Sequence, residues 1–511
     1  MRANNVQKSG LATWLCRTIF LLGLAIGGWE SAFGQRVNSQ TRVEEVMKEG
    51  DRLVDEKQYQ RAIDQFNYAI RIIPNYAPAY AGKGRAYLIM KQYDSARGQL
   101  LMALRYNHSD PAWINWLIGY SYLQEGNATD ALKWSSDAVF LDSTDNRYRM
   151  TKCKAHYELK HYKEAREESL KVLTSEPNNV EASLMAGHSA YNLKDFQGAA
   201  DAYRRVAQPT AEFANIYYWL GNAYVNLSED QNAIWAFQWA IYLKSEFSAD
   251  AFVNVGFAHY RQKRFEEAFG SFQNAVRLQS DNLDAYRGMS LAKVRVCEYS
   301  AAIGYERKVV ELAPPQSPER GGAYVNLSWY YSFIGENSLA ADAGRQATYL
   351  RPKDYMGYTN LCRALNDLKL HQEAIEACRT ALSFKPGDGE TLFYLGRAWK
   401  ALGRTADAAK AFADAVPGLN RYISDNPDEA DGYYLLGNAF YAQNLYRDAI
   451  RAFQQAIRLR PCFTHAHFNL GVAYIALGNK PAAIDQYKTL TGLDTTRANT
   501  LWKLINPAKM R

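Results

Sequence analysis

One alanine in a fixed register constrains this chain more than any other feature. It stands at Ala62, Ala96, Ala131, Ala165, Ala199, Ala233, Ala268, Ala302, Ala340, Ala374, Ala408, Ala449 and Ala483, in steps of 34 or 35 residues apart from one of 38 and one of 41. Twelve residues before each lies a small residue: Gly50, Gly84, Gly119, Cys153, Gly187, Gly221, Gly256, Ser290, Ser328, Cys362, Gly396, Gly437 and Gly471. Two antiparallel helices approach closely only where both carry small side chains, so each pair is expected to mark the crossing point of a helical hairpin. Larger apolar residues surround the pair at steps of three and four, as Tyr217, Leu220 and Tyr224 do before Ala233, Phe237 and Ala240. Pro74, Pro177, Pro314, Pro352, Pro386 and Pro461 follow the second helices, where proline stops a helix and opens the turn to the next unit. A chain of 511 residues is too long for one ordinary core and is expected to grow by repetition.

This period, with its small residue, its alanine and its proline, resembles the tetratricopeptide repeat family over roughly residues 42–496. The resemblance implies an all-α, right-handed α-solenoid of about 13 tandem helix-turn-helix hairpins. The eighth unit is degenerate, with Lys293 where an apolar residue is usual. Thr496 to Ile505 reads as an end helix that covers the last apolar face, within a capping segment and tail at 497–511. The 38-residue step holds PPQSPERGG at 314–322, and the 41-residue step an extended second helix interrupted near Pro417 and Gly418. The expected blocks are therefore repeats 1–8 at 42–314, a loop at 315–322, repeats 9–11 at 323–428, and repeats 12 and 13 at 429–496.

The first 34 residues have the order of a secretory signal: basic residues through Arg17, an apolar run from Thr18 to Trp29, and small residues before Gln35. About twelve apolar residues are short for a membrane span, so cleavage near Gly34 is expected, with a retained anchor as the alternative. A short segment at 35–41 follows. Export to a periplasm or the exterior permits disulfides. Without Cys16 five cysteines remain, which leaves at least one unpaired in the monomer. Cys362 and Cys378 fall on the two helices of one hairpin, where a bridge is conceivable; the reading preferred on sequence is two small core residues.

No phosphate-binding loop, dinucleotide fingerprint, HExxH or GxSxG occurs, so the chain is read as non-catalytic, with no cofactor or metal. His465 and His467 lie on different helix faces and read as packing residues. The net charge of +7 is mild and dispersed, which argues against nucleic acid.

In the family the first helix of each hairpin lines an inner groove. Carried onto this sequence, that face takes in Tyr218, Asn222, Asn254, Asn326, Trp329, Asn360, Arg363, Phe393, Arg397, Tyr434, Asn438 and Asn469, with Trp116 and Tyr120 in an earlier unit. Aromatic side chains grip peptides with little entropy to lose. Carboxamides both donate and accept, so the row of asparagines is similar to the asparagine ladder in the tetratricopeptide region of O-GlcNAc transferases, which holds extended polypeptide. Asparagine is also common there in the family consensus. The carboxylate clamp of chaperone-tail binders is excluded, because Tyr434 and His465 occupy its lysine positions. Arg363, Arg397 and Lys400 read either as a local basic patch or as a solvated charged face. The expectation is an exported scaffold that holds one or more proteins or peptides in this groove, assembling a cell-envelope or extracellular complex. The alternative is an accessory protein for envelope polysaccharide binding, export or glycosyl transfer.

Overall fold

The computed structural model describes residues 39–507. The expected export segment at 1–34, its cleavage site and the final tail residues 508–511 lie outside them. Among the described residues, 27 α-helices form thirteen antiparallel hairpins and one terminal helix. The first hairpin pairs a helix at 39–55 with Tyr59–Ile72, and the thirteenth pairs Thr464–Ala476 with Lys480–Leu493. No described helix is long and apolar enough to cross a membrane.

All thirteen register alanines are at most 2% exposed. Each turn inside a hairpin closes through one residue of positive φ, five positions before that alanine, from Lys57 (φ 60°) to Gly478 (φ 73°). Second helices end two residues before the expected prolines, as Ile72 does before Pro74 and Leu459 before Pro461.

The reason for the small residue is sharper than a crossing with alanine. A Cβ built on Gly221 would stand 2.6 Å from the Phe237 ring, and one on Gly256 2.6 Å from Phe272. The ring comes from the residue four after the alanine, and it fills the space that glycine leaves. Gly50 faces Phe66, Gly187 Tyr203, Gly396 Phe412 and Gly437 Phe453 in the same way. Where the small residue is larger than glycine its opposite number shrinks or becomes polar: Cys153 with Ser169, Ser290 with Glu306, Ser328 with Gly344, Cys362 with Cys378. The Ser328 hydroxyl donates to the Ala340 carbonyl at 2.8 Å, so the alanine is also at the crossing.

The preference for unbridged Cys362 and Cys378 is corrected here. They form a disulfide with a Cα separation of 5.4 Å, because the position that elsewhere carries a ring brings the second sulfur onto the first. A second disulfide joins Cys297 to Cys462 across 165 residues. Cys153 is free and buried.

The chain forms two compact units, one through Gln208 and one from Pro209. The first holds five hairpins and the second eight, followed by the terminal helix Thr495–Ile505. In the second unit the 38-residue step becomes a longer first helix, Pro318–Ile334, N-capped by Ser317. The 41-residue step becomes one continuous helix, Thr405–Asp425, which runs through Pro417. The expected interruption does not occur: proline's fixed φ is helical, and Gly418 lets Gly387 and Gly389, at the start of the same hairpin, lie against the helix. Leu501 and Ile505 of the terminal helix are buried against Leu490 and Ala483, closing the last apolar face.

Candidate functional site

Of the inner-face residues named from the sequence, Trp116 and Tyr120 fall in the first unit and the other twelve in the second. Five of them, Asn326, Trp329, Asn360, Arg363 and Tyr434, converge on one cavity of about 210 Å³. Helix Pro318–Ile334 also supplies Val325 and Phe333, helix Tyr355–Asp367 supplies Met356, helix Gly389–Ala401 supplies Glu390 and Tyr394, and helix Ala430–Ala442 supplies Asp431 and Leu435. Met356, 49% exposed, stands where the cavity meets solvent.

The cavity's charges are paired. The Arg363 guanidinium donates to Glu390 at 2.6 Å and to the Asn360 side-chain oxygen at 3.0 Å, and its carbon lies 5.1 Å from the Tyr394 ring centre. Arg460 donates twice to Asp431, at 2.6 and 3.2 Å, from behind the wall. Burial holds the Glu390 carboxyl above its usual range, with Asp388 and Asp431 adding to the rise and Arg363 opposing it. Arg363 is therefore a buried, balanced charge, and belongs neither to a basic patch nor to a solvated charged face, the two readings of it from the sequence. Arg397 is more open and is tied to Asp367 at 2.8 Å.

The asparagines are occupied between neighbouring repeats. Asn254 donates to the Asn222 side chain at 3.3 Å and Asn469 to Asn438 at 2.7 Å; Asn360 donates to the Val325 carbonyl at 3.0 Å. Their first contribution is to hold successive inner helices in register. Tyr218 stacks on Phe247 at 4.7 Å. Phe393 does not reach the cavity: it is buried against Phe412 at 5.8 Å, within its own hairpin. His465 is half-buried, its imidazole pushed down to about 3 by desolvation first and Arg497 second, and neutral His465 accepts from Arg497 at 2.5 Å.

Sequence reasoning missed the exposed aromatics of the second helices, Phe140, Tyr242 and Tyr349 at 89%, 75% and 70% exposure. Each lies nine residues after a register alanine, which is half a turn out of phase with the buried face and was a readable signal. Glu306, with no exposure, was missed as well. Its carboxyl accepts from Asn326 at 2.9 Å and is pushed up to about 7, by burial above all.

Glu306 sets a pH dependence. Below its ordinary value of 4.5 the group is protonated both folded and unfolded. Between there and about 7 the unfolded chain ionises while the folded one keeps the proton, so stability falls with rising pH and levels off above. The loss from this group is about 3 kcal/mol. Urea unfolding at pH 5 and pH 8.5 is expected to show the wild type losing about 2–3 kcal/mol more than Glu306→Gln over that interval.

Models described as tetratricopeptide repeat match residues 53–115, 151–215, 184–245 and 434–498. Over those stretches the chain matches tetratricopeptide repeats. Among curated relatives it is 25% identical over 321 residues to the BBSome complex member BBS4 of Bos taurus, covering 63% of this chain, and 21% identical over 346 residues to the protein CTR9 homolog of Arabidopsis thaliana, covering 64%. It spans 59% and 31% of the length of these two relatives. Among solved structures, that of Naa15/Naa10 bound to HypK-THB is similar at 12% identity and a TM-score of 0.36, covering 91% of this chain and 97% of that one. The APC/C hetero-tetramer Cut9-Hcn1 is similar at 16% identity and a TM-score of 0.36, covering 91% and 96%.

Proposed function

We propose that this chain is an exported, non-catalytic scaffold that takes a polypeptide segment on the inner face of its first helices and so assembles an envelope or extracellular complex. The observation that carries the reading is the cavity of about 210 Å³ among Asn326, Trp329, Asn360, Arg363 and Tyr434. Its volume and aromatic walls suit one anchoring side chain of a bound segment. The signal-like order of residues 1–34 supports export, and so do two disulfides in the folded region, since such bridges persist in oxidising compartments. The bovine relative's name places that protein in a multi-protein complex, which supports assembly as the role. The carboxylates of Glu390, Glu429 and Asp431 in the cavity wall weigh against an anionic polysaccharide there.

Affinity capture from the exporting compartment, with mass spectrometry, tests the reading. Wild-type protein is expected to recover a polypeptide whose yield drops about tenfold or more with Trp329→Ala, at an unfolding temperature that leaves the variant folded. Equal recovery by both proteins, or recovery of polysaccharide alone, would sink it.

A further inference from the structure

The second unit closes on itself along a seam. The turn of the eighth hairpin and the ends of the first helices on either side meet the start of the twelfth hairpin and the connection at 460–465. Across it Lys263 donates to Asp428 at 2.9 Å, Arg295 clamps Glu429 through both terminal nitrogens, and Arg460 donates to the Tyr299 hydroxyl at 3.3 Å. The Phe333 ring adds contacts to His465 at 4.9 Å and Phe463 at 5.9 Å. The Cys297–Cys462 bridge runs through the middle of these contacts. Cys297 is the positive-φ residue of its turn, held at the edge of the hairpin.

The two disulfides differ in what they hold and in who can reach them. Cys362–Cys378 lies inside one hairpin and both residues have no exposure. Cys297 and Cys462 are half-buried, and their bond closes a loop of 165 residues. The other contacts across the seam are two ion pairs, one hydrogen bond and the rings around Phe333, and Lys263 and Asp428 are well exposed, at 59% and 68%. Exposed pairs contribute little and are screened by salt, whereas a link closing a long loop removes much chain freedom.

We propose that Cys297–Cys462 is a redox clasp that keeps the inner face of the second unit shut. Closed, it fixes Glu429, Asp431 and Tyr434 as walls of the cavity; opened, it leaves the seam to the Phe333 ring contacts and to ion pairs that salt loosens. A small dithiol supplies the electrons. One of its thiolates attacks a bridge sulfur, the S–S bond breaks as a mixed disulfide forms, and its second thiol displaces the remaining cysteine. Two electrons and two protons end on Cys297 and Cys462, and the reductant leaves as a cyclic disulfide. Buried Cys153, its thiol pushed up to about 12 by burial, takes no part. The clasp concerns conformation and holds whatever the cavity takes.

The full chain is treated with graded dithiothreitol, alkylated, and followed by mass spectrometry and hydrogen exchange at low and high salt. Cys297 and Cys462 are expected to be alkylated at least about tenfold faster than Cys362 and Cys378. Exchange at 428–431 and 459–465 is expected to rise on reduction, and further in high salt, while oxidised protein is indifferent to salt. Cys297→Ser/Cys462→Ser should reproduce the reduced pattern without reductant. Equal alkylation of both bridges, or unchanged exchange at the seam after Cys297 and Cys462 are free, would overturn the proposal; the wild-type arm decides it even if the variant does not fold.

Discussion

Replacing Phe272 by alanine is expected to lower the unfolding free energy of the second unit by about 3–5 kcal/mol, the range for emptying a fully buried aromatic site. The ring has no exposure and is wedged between two hairpins: a Cβ on Gly256 would lie 2.6 Å from it and one on Gly288 2.4 Å. Gly288→Ala alone is expected to cost about 1–3 kcal/mol, because the ring must move. The two changes together should cost less than their sum, by about 1 kcal/mol, since the new methyl group enters the space the ring vacates. Urea unfolding of the four proteins of this cycle measures the coupling. Strict additivity would mean that Gly288 is not there to seat the ring.

The second large effect belongs to Arg363. It is 6% exposed, and its guanidinium is the only cation bonded to Glu390 among the described residues. Arg363→Met leaves that carboxylate, whose side chain is 31% exposed, in the cavity wall without its cation, a loss of about 2–3 kcal/mol. Glu390 already sits above its usual range, so without Arg363 it takes up a proton more readily still. The loss should therefore be smaller at pH 5 than at pH 8, and Arg363→Met/Glu390→Gln should recover most of it. Thermal and urea unfolding at both pH values report this. A deficit that is independent of pH and persists in the double variant would show that Arg363 works through packing alone.

The hairpins were legible because two residues per repeat carry the geometry. Alanine and glycine leave no alternative where helices cross, so their register alone marks thirteen units. The partner of the glycine, four residues after the alanine, was equally present in the sequence as Phe66, Phe237, Phe272 and Phe453. Reading it would have made Cys378 the natural mate of Cys362, as a bond in place of a ring. Phe393 holds the register position of Tyr218 and Tyr434 and packs on Phe412 at 5.8 Å as they do on Phe237 at 5.8 Å and Phe453 at 6.1 Å, but it is buried there and does not line the cavity. Gly389 sinks against Leu419, where a Cβ would stand 2.4 Å from that residue's nitrogen, and the long helix Thr405–Asp425 that permits this follows from the 41-residue step. Cys297 and Cys462 could not be paired from the sequence, because their meeting depends on the summed rotation of several hairpins and not on any local spacing. The asparagines were found, but a repeat consensus cannot tell that Asn469 leans on Asn438 before it can meet a ligand.

The central claim is that polypeptide is held on the inner face of the first helices, and the exposed aromatics of the second helices offer the direct comparison. Photo-crosslinking residues placed at Tyr120 and Lys400 on the inner face, and at Phe140, Tyr242 and Tyr349 on the second helices, would be irradiated in the exporting compartment. Polypeptide adducts from the inner positions, with none from the other three, are the predicted result. Adducts confined to Phe140, Tyr242 and Tyr349 would contradict it and move the binding surface to the second helices.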